Sequence, residues 1–169
     1  MPAIAGRSVI LVTGMSGTGK STALAELGRR GHRIVDTDDP GWIVEVETPH
    51  GMEPMWNLDK VGALLDGHRA GWLFVSGCAA NQGALYDRFD AVVLLSAPAD
   101  VILARVLDRA NPFGSHPEDQ AKIASDLAEF EPLLRAHADH EIVTTTPVAD
   151  VVAALAQAAA ASGAQTPFR

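Results

Sequence analysis

The chain has one cysteine, Cys78, in 169 residues. A single thiol closes no internal disulfide, and a reducing interior is expected. Cations are also scarce: 13 Lys and Arg face 21 Asp and Glu, a formal charge of -8. That balance argues against a protein that coats polyanions, so no nucleic-acid partner is expected. A single nucleotide is not excluded, since it needs only a local positive nest. Long apolar runs are missing. None approaches the about 20 residues of a membrane span. Met1 to Arg7 is too short and too weakly apolar for a signal peptide, so a cytoplasmic protein with no membrane partner is expected. None of the six histidines stands at zinc spacing with a cysteine.

What is present is an ordinary globular composition, 47% hydrophobic and 20% charged, in a length that suits one domain. Its most specific stretch is Gly14-Met15-Ser16-Gly17-Thr18-Gly19-Lys20-Ser21, followed by Thr22. It follows the apolar run Ser8–Thr13 and precedes a helical pattern. Strand, glycine loop and helix are the context that a phosphate-binding loop requires. The glycines permit backbone shapes that a side chain forbids. Loop N–H groups then face a polyphosphate at the positive end of a helix. Lys20 is placed to reach the β- and γ-phosphates, and the Ser21 hydroxyl to ligate Mg²⁺.

Further strands read at His32–Asp36, Trp72–Ser76, Ala91–Leu95 and Glu141–Thr144. Helices read at Lys20–Arg30, Asn57–His68, Gln82–Arg88, Pro98–Arg109, Glu118–Ala138 with a break at Pro132, and Val148–Ala159. Residues 42–54 mix Val and Ile with Glu, Pro and Gly; an irregular segment, a short helix or a hairpin over the site all fit. The alternation of elements predicts an α/β fold, with a five-stranded parallel sheet and helices on both faces. A core over about residues 8–157, a lid over 109–117 and a fraying tail from 158 are expected. Ligands belong outside the carboxyl ends of the strands.

Asp36, Asp38 and Asp39 follow the second strand. A phosphoryl transferase needs Mg²⁺ near the β- and γ-phosphates and a group that orients or deprotonates the acceptor hydroxyl. Asp36 at the strand tip suits the first role and Asp38 the second, whereas Asp39, before Pro40, reads as a turn residue. The third strand ends in Ser76-Gly77 with no acid at its tip. That counts against a motor-type or AAA-type ATPase, in which such an acid polarises attack by water.

With these motifs the chain resembles the small-molecule kinases of the P-loop superfamily, the shikimate and gluconate kinase group in particular. The resemblance rests on the loop, Asp36-Thr37-Asp38, Ser76-Gly77-Cys78-Ala79, Arg105 with Arg109, and Pro132-Leu133-Leu134 before Ala138-Asp139. It implies that ATP is bound by residues 14–22 with Arg105 and Arg109. It implies Mg²⁺ at Ser21 and Asp36, and catalysis by Lys20, Asp38 and Arg109. It also implies a hydroxyl acceptor held by Asp38, Trp56, Asn57, Gly77, Cys78 and Asn81. Shikimate kinases grip a carboxylate with arginines in two regions that here read Met55-Trp56-Asn57-Leu58-Asp59 and Glu129-Phe130-Glu131-Pro132. Neither region has an arginine, and no other side chain reproduces a guanidinium fork. An acceptor other than shikimate is expected. A nucleoside or nucleotide kinase, or a regulatory ATP-binding module with little transfer, are the competing readings. A monomer or homodimer fits either.

Overall fold

Val9, Ile10, Leu11 and Val12 are fully buried in β1 (Ser8–Thr13). Full burial of both faces stabilises by roughly 1.5–3 kcal/mol for each such side chain. Alternate residues serve different cores. Ile10 and Val12 pack with Ala23, Leu24 and Leu27 of α1 (Lys20–Arg29) and with Val151, Val152 and Leu155 of α5 (Val148–Ala164). Val9 and Leu11 pack with Val61 and Leu65 of α2 (Leu58–Gly67), and with Leu85 of the 3₁₀ helix Gln82–Arg88. The computed structural model of the chain describes residues 6–108 and 117–164.

β1 lies at the centre of a five-stranded sheet. It pairs in parallel with β5 (Trp72–Ser76) on one side and β6 (Ala91–Ser96) on the other. β2 (Arg33–Asp36) flanks β5, and β7 (His140–Val143) flanks β6, both in parallel. The spatial order is β2-β5-β1-β6-β7. The chain builds β2 and β5 on one side of β1 and then crosses to lay β6 and β7 on the other, which opens a crevice at the carboxyl end of β1. The loop after β1 sits in that crevice.

The segment whose form the sequence left open is a hairpin of β3 (Ile43–Thr48) and β4 (Gly51–Trp56), closed by Pro49-His50. Its base is anchored: Asn57 N–H donates to the Trp42 carbonyl at 2.8 Å, and Lys60 Nζ lies 4.8 Å from the Trp42 ring centre. A smaller cluster joins α3 (Ala99–Asp108) to α4 (Pro117–His137) through Ile102, Val106 and Ile123. Helix α4 runs through Pro132 without the expected break. The tail expected from 158 is also corrected. Helix α5 reaches Ala164, because Ala158 and Ala159 are buried in the first core. The expected lid lies almost wholly outside the described residues.

Candidate active site

Gly14 has φ 153° and Gly19 φ 93°. A Cβ on Gly14 would collide with the Leu95 carbonyl of β6 and the Thr18 hydroxyl. The loop can therefore pass this close to the sheet only with glycine there. Thr18 is fully buried, and its hydroxyl donates to the Met15 carbonyl at 2.8 Å, which closes the loop on itself. Lys20 Nζ donates to the carbonyls of Gly14 at 2.6 Å and Met15 at 3.0 Å, so the ammonium lies over the loop rather than in solvent.

Ser21, one residue on, donates from Oγ to Asp36 Oδ2 at 3.2 Å. The parallel register of β2 with β5 sets Asp36 beside Ser76, at the carboxyl edge of the sheet. The other Asp36 oxygen accepts the Asp38 N–H at 2.9 Å, and the Asp36 carbonyl accepts the Asp39 N–H at 3.1 Å. This turn leaves Asp38 exposed at the mouth. Ser21 and Asp36 are hard oxygen donors of the kind Mg²⁺ takes. Among the described residues no group of three or more His, Cys, Asp or Glu could hold a metal. Mg²⁺ at this pair would complete its shell with phosphate oxygens and water, its usual practice.

Arg105 acts on the loop from α3. Its guanidinium donates to the Gly17 carbonyl at 3.1 Å, to the Thr144 hydroxyl at 2.9 Å and to the Thr144 carbonyl at 2.6 Å. Thr144 is itself buried, and its hydroxyl donates to the Thr18 carbonyl at 2.8 Å. Two loop carbonyls are thus fixed by one arginine and one threonine. The sequence reading missed Thr144, which lies 126 residues from its partner Thr18. Beside this clamp a cavity of about 330 Å³ opens between Gly19, Thr22, Thr146, Val148 and Val151, large enough for a nucleobase.

The expected acceptor residues divide. Cys78 stays at the mouth. Loss of water around the thiol, first of all, raises its pKa above 9.0, with Asp38 adding to the rise and Lys20 opposing it. Gly77 packs so tightly that a Cβ would strike the Thr37 hydroxyl and the Trp56 ring. Trp56 is held in the core rather than open at the mouth. It is 1% exposed, and its Nε1 donates to the Thr37 hydroxyl at 3.0 Å. Asn81 is spent on Trp56 as well: Oδ1 accepts the Trp56 N–H at 2.9 Å, and Nδ2 donates to its carbonyl at 3.0 Å. Asn57 caps α2, accepting the Lys60 N–H at 3.2 Å. Of these groups Trp56 and Gly77 are buried, whereas Asn57 and Asn81 are half-buried with the side-chain oxygen of each bonded to backbone. Arg109 lies outside the described residues.

The fold and the loop agree with what known proteins show. An AAA domain family matches residues 10–124, well over half of the chain. The chain belongs to this AAA domain family. Membership of this family is one of domain, and it holds with Ser76 rather than an acid at the tip of β5. A nucleotide-binding protein of Acidothermus cellulolyticus is 28% identical over 135 residues, covering 78% of this chain and 42% of that protein. The chain thus spans less than half the length of this curated relative.

Among solved structures, a shikimate kinase from Acinetobacter baumannii in complex with shikimate matches with TM-score 0.61 and 23% identity, over 90% of this chain and 93% of that one. A shikimate kinase from Bacteroides thetaiotaomicron matches with TM-score 0.58 and 17% identity, over 89% and 97%. A gluconokinase from Sinorhizobium meliloti matches with TM-score 0.53 and 20% identity, over 94% and 92%. At these identities the likeness is one of fold, and that fold is the shikimate and gluconate kinase-like P-loop fold. No helix among the described residues is long and apolar enough to cross a membrane.

Proposed function

We propose that the protein is an MgATP-dependent phosphotransferase that moves the γ-phosphoryl group to a hydroxyl of a small molecule other than shikimate. The observation that carries this reading is the Ser21–Asp36 bond of 3.2 Å beside the loop lysine, with Asp38 exposed on the same turn. A loop that only bound nucleotide would have no need of a second free carboxylate at the mouth.

In this reading the loop N–H groups and Lys20 cradle the β- and γ-phosphates. Bound at Ser21 and Asp36, Mg²⁺ supplies charge neutralisation on the transferring group. Asp38 accepts the proton of the acceptor hydroxyl. The new bond joins that oxygen to the γ-phosphorus, the bond from the γ-phosphorus to the β–γ bridging oxygen breaks, and ADP leaves. Arg105 positions the loop through Gly17 and does not act on the phosphates directly. Arg109 is the lid cation that this reading assigns to the developing charge.

The test is ATP consumption with Mg²⁺ across hydroxylated metabolites, nucleosides and aminoglycosides, run with wild type, Lys20→Ala and Asp38→Asn. Acceptor-dependent turnover lost in Lys20→Ala is expected. Asp38→Asn should lower turnover by about 10²–10⁴-fold, the usual worth of a general base, while ATP affinity holds. The second reading, a nucleotide-binding regulatory module, draws on Ser76 standing where an acid is usual and on the nucleotide-binding relative. Tight ATP binding with no acceptor-dependent turnover in wild type would favour it over transfer.

A further inference from the structure

A cleft of about 920 Å³ begins at the loop and runs away from it between the 3₁₀ helix and α4. Its inner end is formed by Met15 and Cys78. Met15 belongs to the phosphate loop and its carbonyl accepts from Lys20 Nζ at 3.0 Å, so this end lies where phosphoryl transfer is proposed to occur. Its body is formed by Tyr86 on one side and by Phe130, Leu133 and Leu134 on the other. Phe130 is 43% exposed and Leu133 59% exposed, so α4 turns large apolar surface into the cleft rather than into a core. Isolated exposed apolar residues are common on proteins, but a concave group continuous with a reactive site suits a ligand.

The charges in the cleft are as informative as its apolar walls. Among the described residues, no lysine or arginine lines it. Its one carboxylate is Asp87, and His137 stands at the far wall, with its ring 5.8 Å from that of Tyr86. Gln82 also lines the cleft but is 2% exposed. Its amide is used on the Thr13 hydroxyl at 2.9 Å, the Tyr86 hydroxyl at 2.9 Å and the Ala79 N–H at 3.0 Å. Along these walls an anionic body would lose water and, among the described residues, meet no lysine or arginine. A flat or branched apolar body would gain contact along its whole length.

We propose that the acceptor is an alcohol with an aromatic or alkyl body and no anionic group, seated in this cleft with its hydroxyl toward Asp38. This rests on the phosphotransferase reading for the fate of the hydroxyl, but not for the binding. Positive charge on the body is tolerated by Asp87, and negative charge is disfavoured.

The probes are three benzyl alcohols that differ only in the para group: 4-methylbenzyl alcohol, 4-(aminomethyl)benzyl alcohol and 4-(hydroxymethyl)benzoic acid. Binding to the full chain is measured by saturation-transfer NMR with Mg²⁺ and a non-hydrolysable ATP analogue. The neutral and cationic probes should bind, and the benzoate at least tenfold more weakly. Phe130→Arg should reverse that order, with its fold checked by circular dichroism and its ATP affinity measured in parallel. Leu133→Asp is the second variant; it should weaken the neutral probe and leave the cationic one. Equal or tighter binding of the benzoate to wild type would overturn the proposal. So would failure of the neutral and cationic probes to bind, with Leu133→Asp instead shifting a monomer–dimer equilibrium in sedimentation, because the face would then be an interface between copies. Probe binding in the predicted order without phosphoryl transfer to any alcohol would leave the cleft assignment standing and sink the phosphotransferase reading.

Discussion

At the scale of single residues, Trp56 illustrates how a polar-looking segment can be structural. Its indole N–H needs a partner once buried, and the Thr37 hydroxyl provides one that is itself bonded to the Ser76 carbonyl at 2.8 Å. The chain Trp56–Thr37–Ser76 ties the hairpin to the tip of β5 and so fixes the turn that carries Asp36 and Asp38. Trp56→Ala removes a large buried side chain and should cost roughly 3–5 kcal/mol. The neighbouring Asn57→Ala removes only a helix cap and should cost about 1 kcal/mol. Urea unfolding of the two variants beside wild type checks both. A Trp56→Ala midpoint equal to that of wild type would place the indole outside the core.

At the scale of elements, the loop depends on parts far from it in sequence. Thr144 follows β7, and its N–H extends the ladder to the Ser96 carbonyl at 2.8 Å. Its hydroxyl reaches the Thr18 carbonyl, and Arg105 comes from α3 to both Gly17 and Thr144. Thr144→Val keeps the shape but leaves the buried Thr18 carbonyl and part of the Arg105 fork without partners, at about 1–3 kcal/mol. Thermal unfolding should show that loss, and the ATP dissociation constant should rise, because the loop is held less firmly. An unchanged ATP affinity would mean that the clamp is dispensable to the loop. These contacts also mark what could be read in advance. The phosphate loop and the central strands were legible because their signals are local: glycines at fixed spacing, and apolar runs buried on both faces. Asp36 was legible by its place at the tip of β2. The hairpin was not, since Val44 and Met52 face solvent and leave no clean alternation. Thr144 and the apolar cleft were invisible because each arises only when distant segments meet.

At the scale of the molecule, one junction should contribute a measurable part of the acid sensitivity. Glu141 on β7 accepts from Arg135 of α4 at 2.7 Å and from the Ser96 hydroxyl of β6 at 2.7 Å. Arg135 also holds Glu131 at 2.9 Å, so a single guanidinium joins the last strand to the helix that walls the cleft. The Arg135 bond, first, and the Ser96 bond hold the Glu141 pKa below 4.5, and the two carboxylates raise that of Arg135. A carboxylate whose folded pKa is depressed gives stability that is fully present above its unfolded pKa and is lost as pH falls through the folded value. Both side chains are partly exposed, 46% for Arg135 and 29% for Glu141, so solvent limits the pair to about 1 kcal/mol or less. Glu141→Gln should therefore be less stable than wild type at neutral pH, and the two should converge as pH falls below 4.5. Urea unfolding in steps from pH 7 to pH 3 measures this. A gap that stays constant across the range would mean that the glutamate acts through packing, and that α4 is held to the sheet by something other than this charge.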